Sequence, residues 1–134
     1  MAKLTYVEGI GEVYAGKLRQ AGVKSTGALL DMGSTPKGRQ EIAENAGISE
    51  TKVLEWVNHV DLFRIKGIGE EYADLLEAAG VDTVVELAKR NADNLYQKLK
   101  DVNTSKKLVR QLPAISQIVG WIEQAKQLPH AVFY

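Results

Sequence analysis

The chain carries a duplicated stretch built around two glycines. Gly9-Ile10-Gly11-Glu12, Tyr14-Ala15, Leu18 and Ala21-Gly22-Val23 return 58 residues later as Gly67-Ile68-Gly69-Glu70, Tyr72-Ala73, Leu76 and Ala79-Gly80-Val81. With Leu29 and Leu87 this makes 11 identities over 24 aligned positions. Self-similarity of that density implies two supersecondary units of one design, which limits the fold to architectures a duplication can fill. Past the shared block, two alignments compete. One pairs Trp56 with Trp121 at an offset of 65 and implies about seven extra residues in the second copy, near Lys106–Arg110. The other pairs Gly47-Ile48-Ser49 with Asn103-Thr104-Ser105 and leaves the last helix unmatched.

Apolar residues recur at spacings of three and four, and no stretch alternates for long, which predicts an all-α chain. Helices are expected near 12–21, 26–32, 36–46, 50–63, 70–79, 84–90, 93–102, 105–111 and 114–127. Ser25, Thr35, Ser49 and Thr83 suit N-caps, Pro36 suits the first helical position, and Gly22 and Gly80 suit the left-handed residue after a helix. No Gly/Ser/Pro linker separates the helix near 50–63 from the second glycine turn. Residues 1–62 and 63–128 are therefore expected to be two fused repeats packed as one compact unit. Residues 129–134 form a C-terminal tail that either covers core or serves as an apolar peptide for a partner.

Both copies fit one template, with Leu4, Val7, Gly9, Ile10, Gly11, Ala15 and Leu18 in the first and Leu62, Ile65, Gly67, Ile68, Gly69, Ala73 and Leu76 in the second. The pattern resembles the helix-hairpin-helix motif. Glycines open a tight turn to backbone angles closed to other residues, the Ile anchors it, and the small Ala lets two helices approach. The helix that starts there presents unpaired N–H groups and a positive dipole end, where a phosphate oxygen can sit. Gly47-Ile48-Ser49, followed by Val53 and Trp56, reads as a degenerate third turn. With it, the first copy becomes a pair of hairpins, an arrangement with which many such domains grip both strands of DNA.

The likeness extends along the chain. Gly9-Ile10-Gly11-Glu12, Ala21-Gly22-Val23, Gly47-Ile48-Ser49, the run Leu54–Leu62 and Trp121–Lys126 resemble an uncharacterised bacterial family of tandem helix-hairpin-helix proteins, catalogued as a domain of unknown function. That resemblance implies a small fold of packed helices related to sterile-alpha-motif-like and helix-hairpin-helix DNA-binding domains, and brings no established activity.

Composition narrows the function classes. There is no cysteine, so no disulfide scaffold, zinc knuckle or thiol nucleophile, and His59 and His130 alone supply imidazole. No nucleophile, base and orienter converge in the pattern; the chain is expected not to be an enzyme and to need no cofactor or side-chain metal site, while a monovalent cation on the backbone carbonyls of each hairpin is neither supported nor excluded by the side chains. No small-molecule substrate is evident. No run is apolar enough to span a bilayer and the N-terminus lacks a signal-peptide core, so the expected location is cytoplasmic, away from membranes. Trp56, Trp121, Tyr14 and Tyr72 read as core or inter-repeat packing, and His59 as a partly exposed packing residue.

Charge is balanced overall, with 17 basic and 17 acidic residues, but not locally. Residues 3–24 carry Lys3, Lys17, Arg19 and Lys24 against Glu8 and Glu12, a net of +2. Residues 65–88 carry Lys66 against six carboxylates, a net of −5, and residues 89–110 carry seven cations against Asp93 and Asp101, a net of +5. Glu12 and Glu70 follow each turn directly and occupy the place a phosphate would take. Two functions remain. The first is a sequence-non-specific nucleic-acid module for double-stranded DNA, contacting backbone phosphates through Gly9, Ile10, Gly11 and Lys17, through Gly67, Ile68 and Gly69, and through Lys98, Lys100, Lys106, Lys107 and Arg110. The second is a protein-interaction or scaffold module, self-association included, in which the turns are structural and the charged faces pair.

Overall fold

The computed structural model describes residues 3–134. A short 3-10 turn, Leu4–Tyr6, leads into α1 (Glu12–Gln20), α2 (Thr26–Met32), α3 (Pro36–Ala46) and α4 (Glu50–Leu62); these are followed by α5 (Glu70–Ala78), α6 (Val84–Ala88), α7 (Ala92–Lys106) and α8 (Ile115–Gln127). The described chain is all-α. It divides into two compact units: one runs to Asp61 and includes Ala131–Tyr134, the other is Leu62–His130.

Helix boundaries follow side-chain caps. Ser25 accepts from the Ala28 N–H, Thr35 from Gly38, Ser49 from Lys52, Thr83 from Glu86 and Asn91 from Asn94. In the first unit α1 and α2 pack on α3, over a core that includes Leu4, Val7, Ile10, Leu18, Leu29, Ile42 and Val53. In the second, α5 packs on α7, and α6 and α7 pack on α8, around Leu62, Ile65, Ile68, Leu76, Leu87, Leu95, Leu99 and Ile118.

Two expectations are corrected. Separate helices over 93–102 and 105–111 do not exist; α7 runs unbroken through Thr104 and Ser105 to Lys106. Thr104 does not cap a new helix, because its hydroxyl donates back to the Lys100 carbonyl. Lys107 then ends α7 with φ 52°, and the following segment is pinned by Asn103, whose side chain donates to the Val109 carbonyl and accepts from the Val109 N–H. His59 is not partly exposed but buried, at 4% of its free surface, because every residue from Trp56 to Leu62 is buried and α4 has no exposed side there.

The extra residues of the second half lie in α7, which has 15 residues against 11 in α3, and in the α7–α8 connection, Lys107–Ala114, against Gly47–Ser49. Trp121 then occupies on α8 the place Trp56 has on α4, the first of the two alignments. Among the described residues no helix is long and apolar enough to cross a membrane.

Candidate nucleic-acid interface

The two glycine turns have the same construction. Val7 donates to Leu4, Ile10 to Val7 and Ala15 to Gly11; in the second half Ile65 donates to Leu62, Ile68 to Ile65 and Ala73 to Gly69. Gly9 has φ 91° and Gly67 has φ 96°, conformations that side chains rarely adopt. Both glycines are also approached by an indole. A Cβ on Gly9 would stand 3.2 Å from Trp56 Nε1, and one on Gly67 would stand 2.9 Å from Trp121 Nε1. The aromatic partners follow suit, with Tyr14 and Trp56 ring centres 5.2 Å apart and Tyr72 and Trp121 5.3 Å apart. These four residues are packing residues, as the sequence suggested.

The second glycine of each turn differs in character. Gly11 and Gly69 have extended backbones, with φ −86° and −98°, and each is the N-cap of the following helix without offering a capping side chain. A Cβ on Gly11 would meet nothing within 4 Å. The first-turn N–H groups of α1 and α5 therefore lack the side-chain acceptor that Ser, Thr or Asn supplies to α2, α3, α4, α6 and α7. Gly47-Ile48-Ser49 varies the same plan: Gly47 has φ 67°, Ile48 is buried, and Ser49 replaces the second glycine and caps α4.

The surroundings separate the first turn from the second. Lys17 Nζ lies 5.8 Å from the centre of the Tyr14 ring and Lys52 Nζ lies 5.7 Å from it, so cations from α1 and α4 converge on one aromatic residue, the third of α1. Both lysines are exposed. Lys52 stands in the first turn of α4, where a cation opposes the helix dipole, so helix stability does not explain it. In the second half, Leu75 stands where Lys17 would be and is fully buried, and Gln117 stands where Lys52 would be. There the Tyr72 hydroxyl donates to the Gln111 carbonyl, and the Gln124 amide clamps the backbone N–H and carbonyl of Lys66. Gly69 and Glu70 are half-buried, whereas Gly11 and Glu12 are exposed. The second turn is braced where the first is open.

A model of one known family, described as Domain of unknown function (DUF4332), matches residues 8–128, nearly the whole chain. The chain belongs to the DUF4332 family. No curated protein and no solved structure matches it.

The remaining candidates are distributed rather than gathered. Ile10 and Ile68 are buried anchors and offer only their backbones. Lys98 and Lys100, both exposed on α7, are two residues apart and so leave the helix on different sides. Lys106 and Lys107 end α7, where cations complement the dipole, and Arg110 is exposed in the connection that follows. Arg90, from the same basic run, donates to the Ala79 carbonyl at the end of α5. Sequence reasoning missed Lys52. The only sequence signal for it was the third turn, which places a lysine three residues after Ser49.

Proposed function

We propose that this protein is a non-enzymatic module that binds double-stranded DNA through backbone phosphates, and that its contact site is the first glycine turn. The reading treats Gly9–Gly11 as a helix-hairpin-helix turn. It rests on one observation above the others: Lys17 and Lys52 both lie over Tyr14, in the first turn of a helix that no side chain caps, a combination the second half replaces with Leu75 and Gln117. A phosphate at the start of α1 would accept from backbone N–H groups, with two ammonium groups nearby to neutralise it. The Gly47 turn, which carries Lys52, makes a second approach to the same place and gives the first half the form of a hairpin pair. Lys98, Lys100, Lys106, Lys107 and Arg110 then add general attraction, while Gly67–Gly69 serve as frame.

Glu12 is the built-in opponent of this site, since an exposed carboxylate at the first helical residue competes for the same dipole end. Glu12→Gln is therefore expected to tighten binding of a labelled duplex about three- to tenfold at low salt, measured by fluorescence anisotropy. Gly11→Ala is expected to cost no more than about 1 kcal/mol, the difference between Gly and Ala at an N-cap, because its φ is ordinary and its surroundings are empty, yet to weaken binding by crowding the turn. No binding by the wild type at low salt would exclude this function. It would favour the second reading, a protein-interaction module.

A further inference from the structure

Within the first unit, α3 and α4 leave a cleft of about 230 Å³, lined by Pro36 and Arg39 from α3 and by Glu50, Thr51 and Leu54 from α4. It has space for roughly seven heavy atoms at the density of liquid water. Pro36, Glu50 and Thr51 are exposed, Leu54 is half-buried, and Arg39 is 6% exposed, so the cleft brings together a buried cation and an exposed carboxylate. Arg39 itself is fixed by neutral acceptors. Its Nη1 donates to the Gly33 carbonyl at 2.9 Å and its Nη2 to the Phe133 carbonyl at 2.8 Å. The second acceptor comes from the tail, which is seated on the first unit by Val132, 1% exposed, and by the Phe133 N–H donating to the Ser34 carbonyl at 2.8 Å.

These two bonds use one N–H on each terminal nitrogen, and among the described residues Arg39 has no ion pair. A buried charge is ordinarily paired. Burial accordingly pushes this guanidinium below the usual arginine range, with Tyr134 and Glu50 acting in the opposite sense. Glu50 thus shares the cleft with Arg39 and acts on it without closing on it. The internal repeat shows that the fold does not need this pair. Thr35 and Asn91 cap α3 and α7, so Arg39 corresponds to Leu95; Trp56 and Trp121 align α4 with α8, so Glu50 corresponds to Ile115. Both charges are replaced by aliphatic residues, and Leu95 is fully buried. A desolvated cation gives no stability advantage over such a residue. A carboxylate in the first turn of α4 suits the helix dipole, but the dipole does not call for a guanidinium in the same cleft. Two opposite charges kept apart in one cleft are explained by a molecule that carries the complement of each.

We propose that this cleft binds a small zwitterion of the α-amino-acid class, its carboxylate accepting from the remaining N–H groups of Arg39, its ammonium donating to Glu50, and a short aliphatic side chain lying against Pro36 and Leu54. The site shares no residue with Gly9–Gly11, Lys17 or Lys52, so the proposal is independent of the phosphate reading.

The test is a residue-resolved amide NMR titration of the full-length chain with three probes of matched size: L-alanine, propionate and ethylammonium. Alanine is expected to give saturable shifts at Thr51 and Leu54, at a concentration at least about fivefold below that needed with either singly charged probe, the factor an exposed ion pair supplies. Glu50→Gln is expected to weaken alanine by at least about fivefold and not to weaken propionate. Arg39→Leu, which installs the residue the second half carries, is expected to abolish the response to alanine and propionate alike. Glu50 is exposed, so the Glu50→Gln arm decides the proposal whether or not Arg39→Leu folds. No saturable shift at Thr51 and Leu54 with alanine in the wild type would overturn the site. Equal binding of alanine and propionate, unchanged by Glu50→Gln, would overturn the zwitterion and leave a simple anion site.

Discussion

Gly67→Val is expected to destabilise the second unit by about 4 kcal/mol, a large part of the stability of a small domain. Two effects add. Gly67 has φ 96°, a conformation that a β-branched side chain can hold only under strain of about 1–3 kcal/mol. The new Cβ would also stand 2.9 Å from Trp121 Nε1, so the indole must shift in a packed core, at about another 1–3 kcal/mol. Trp121 is 2% exposed and packs tilted against the Tyr72 ring, so little slack exists around it. Urea unfolding followed by tryptophan fluorescence gives the number. Gly9→Val should cost somewhat less, because the corresponding distance to Trp56 is 3.2 Å. Gly11→Ala is the control. Equal, mild effects at Gly67 and Gly11 would mean that positive φ and indole packing do not hold these turns.

What the sequence revealed of this fold follows from where backbone demands leave a signature. A left-handed residue asks for glycine, and Gly9, Gly22, Gly47, Gly67 and Gly80 all have positive φ. A helix start asks for a side-chain acceptor, and Ser25, Thr35, Ser49 and Thr83 supply one. The template's apolar positions, from Leu4 to Leu18 and from Leu62 to Leu76, are buried for the same periodic reason. The signature fails where a residue acts against type. Lys107 ends α7 in the left-handed region without being glycine, and Ser105, where a new helix was expected to begin, lies inside α7. Arg39 and His59 are buried, although a charged and a polar residue normally read as surface.

The candidate site was legible only in part. Gly9–Gly11 and Lys17 stand close in sequence and were found together. Lys52 lies 35 residues after Lys17, and the two meet over Tyr14 only through packing. Conversely, the net charge of +5 over residues 89–110 suggested a single basic footprint, but periodicity sends Lys98 and Lys100 to different sides of α7 and Arg90 to the end of α5. A charge sum carries no direction. The two turns also look alike in sequence, and what separates them is the identity of two neighbours, Leu75 for Lys17 and Gln117 for Lys52, together with the segment that supplies the Gln111 carbonyl to Tyr72.

Reversing both lysines, Lys17→Glu with Lys52→Glu, is expected to lower duplex affinity about tenfold or more at low salt and to reduce the slope of log affinity against log salt by about two. Each ammonium that neutralises a phosphate releases one condensed counterion, so two lost contacts remove about two from the slope. Both side chains are exposed, and the change should leave folding within about 1 kcal/mol. The decisive measurement is the salt dependence of labelled-duplex binding for three full-length chains: wild type, Lys17→Glu/Lys52→Glu and Lys98→Glu/Lys107→Glu. Lys17→Glu/Lys52→Glu is expected to lose both affinity and slope well beyond Lys98→Glu/Lys107→Glu. A wild-type slope in the Lys17/Lys52 pair, with the whole loss in the Lys98/Lys107 pair, would contradict a phosphate site at the first turn.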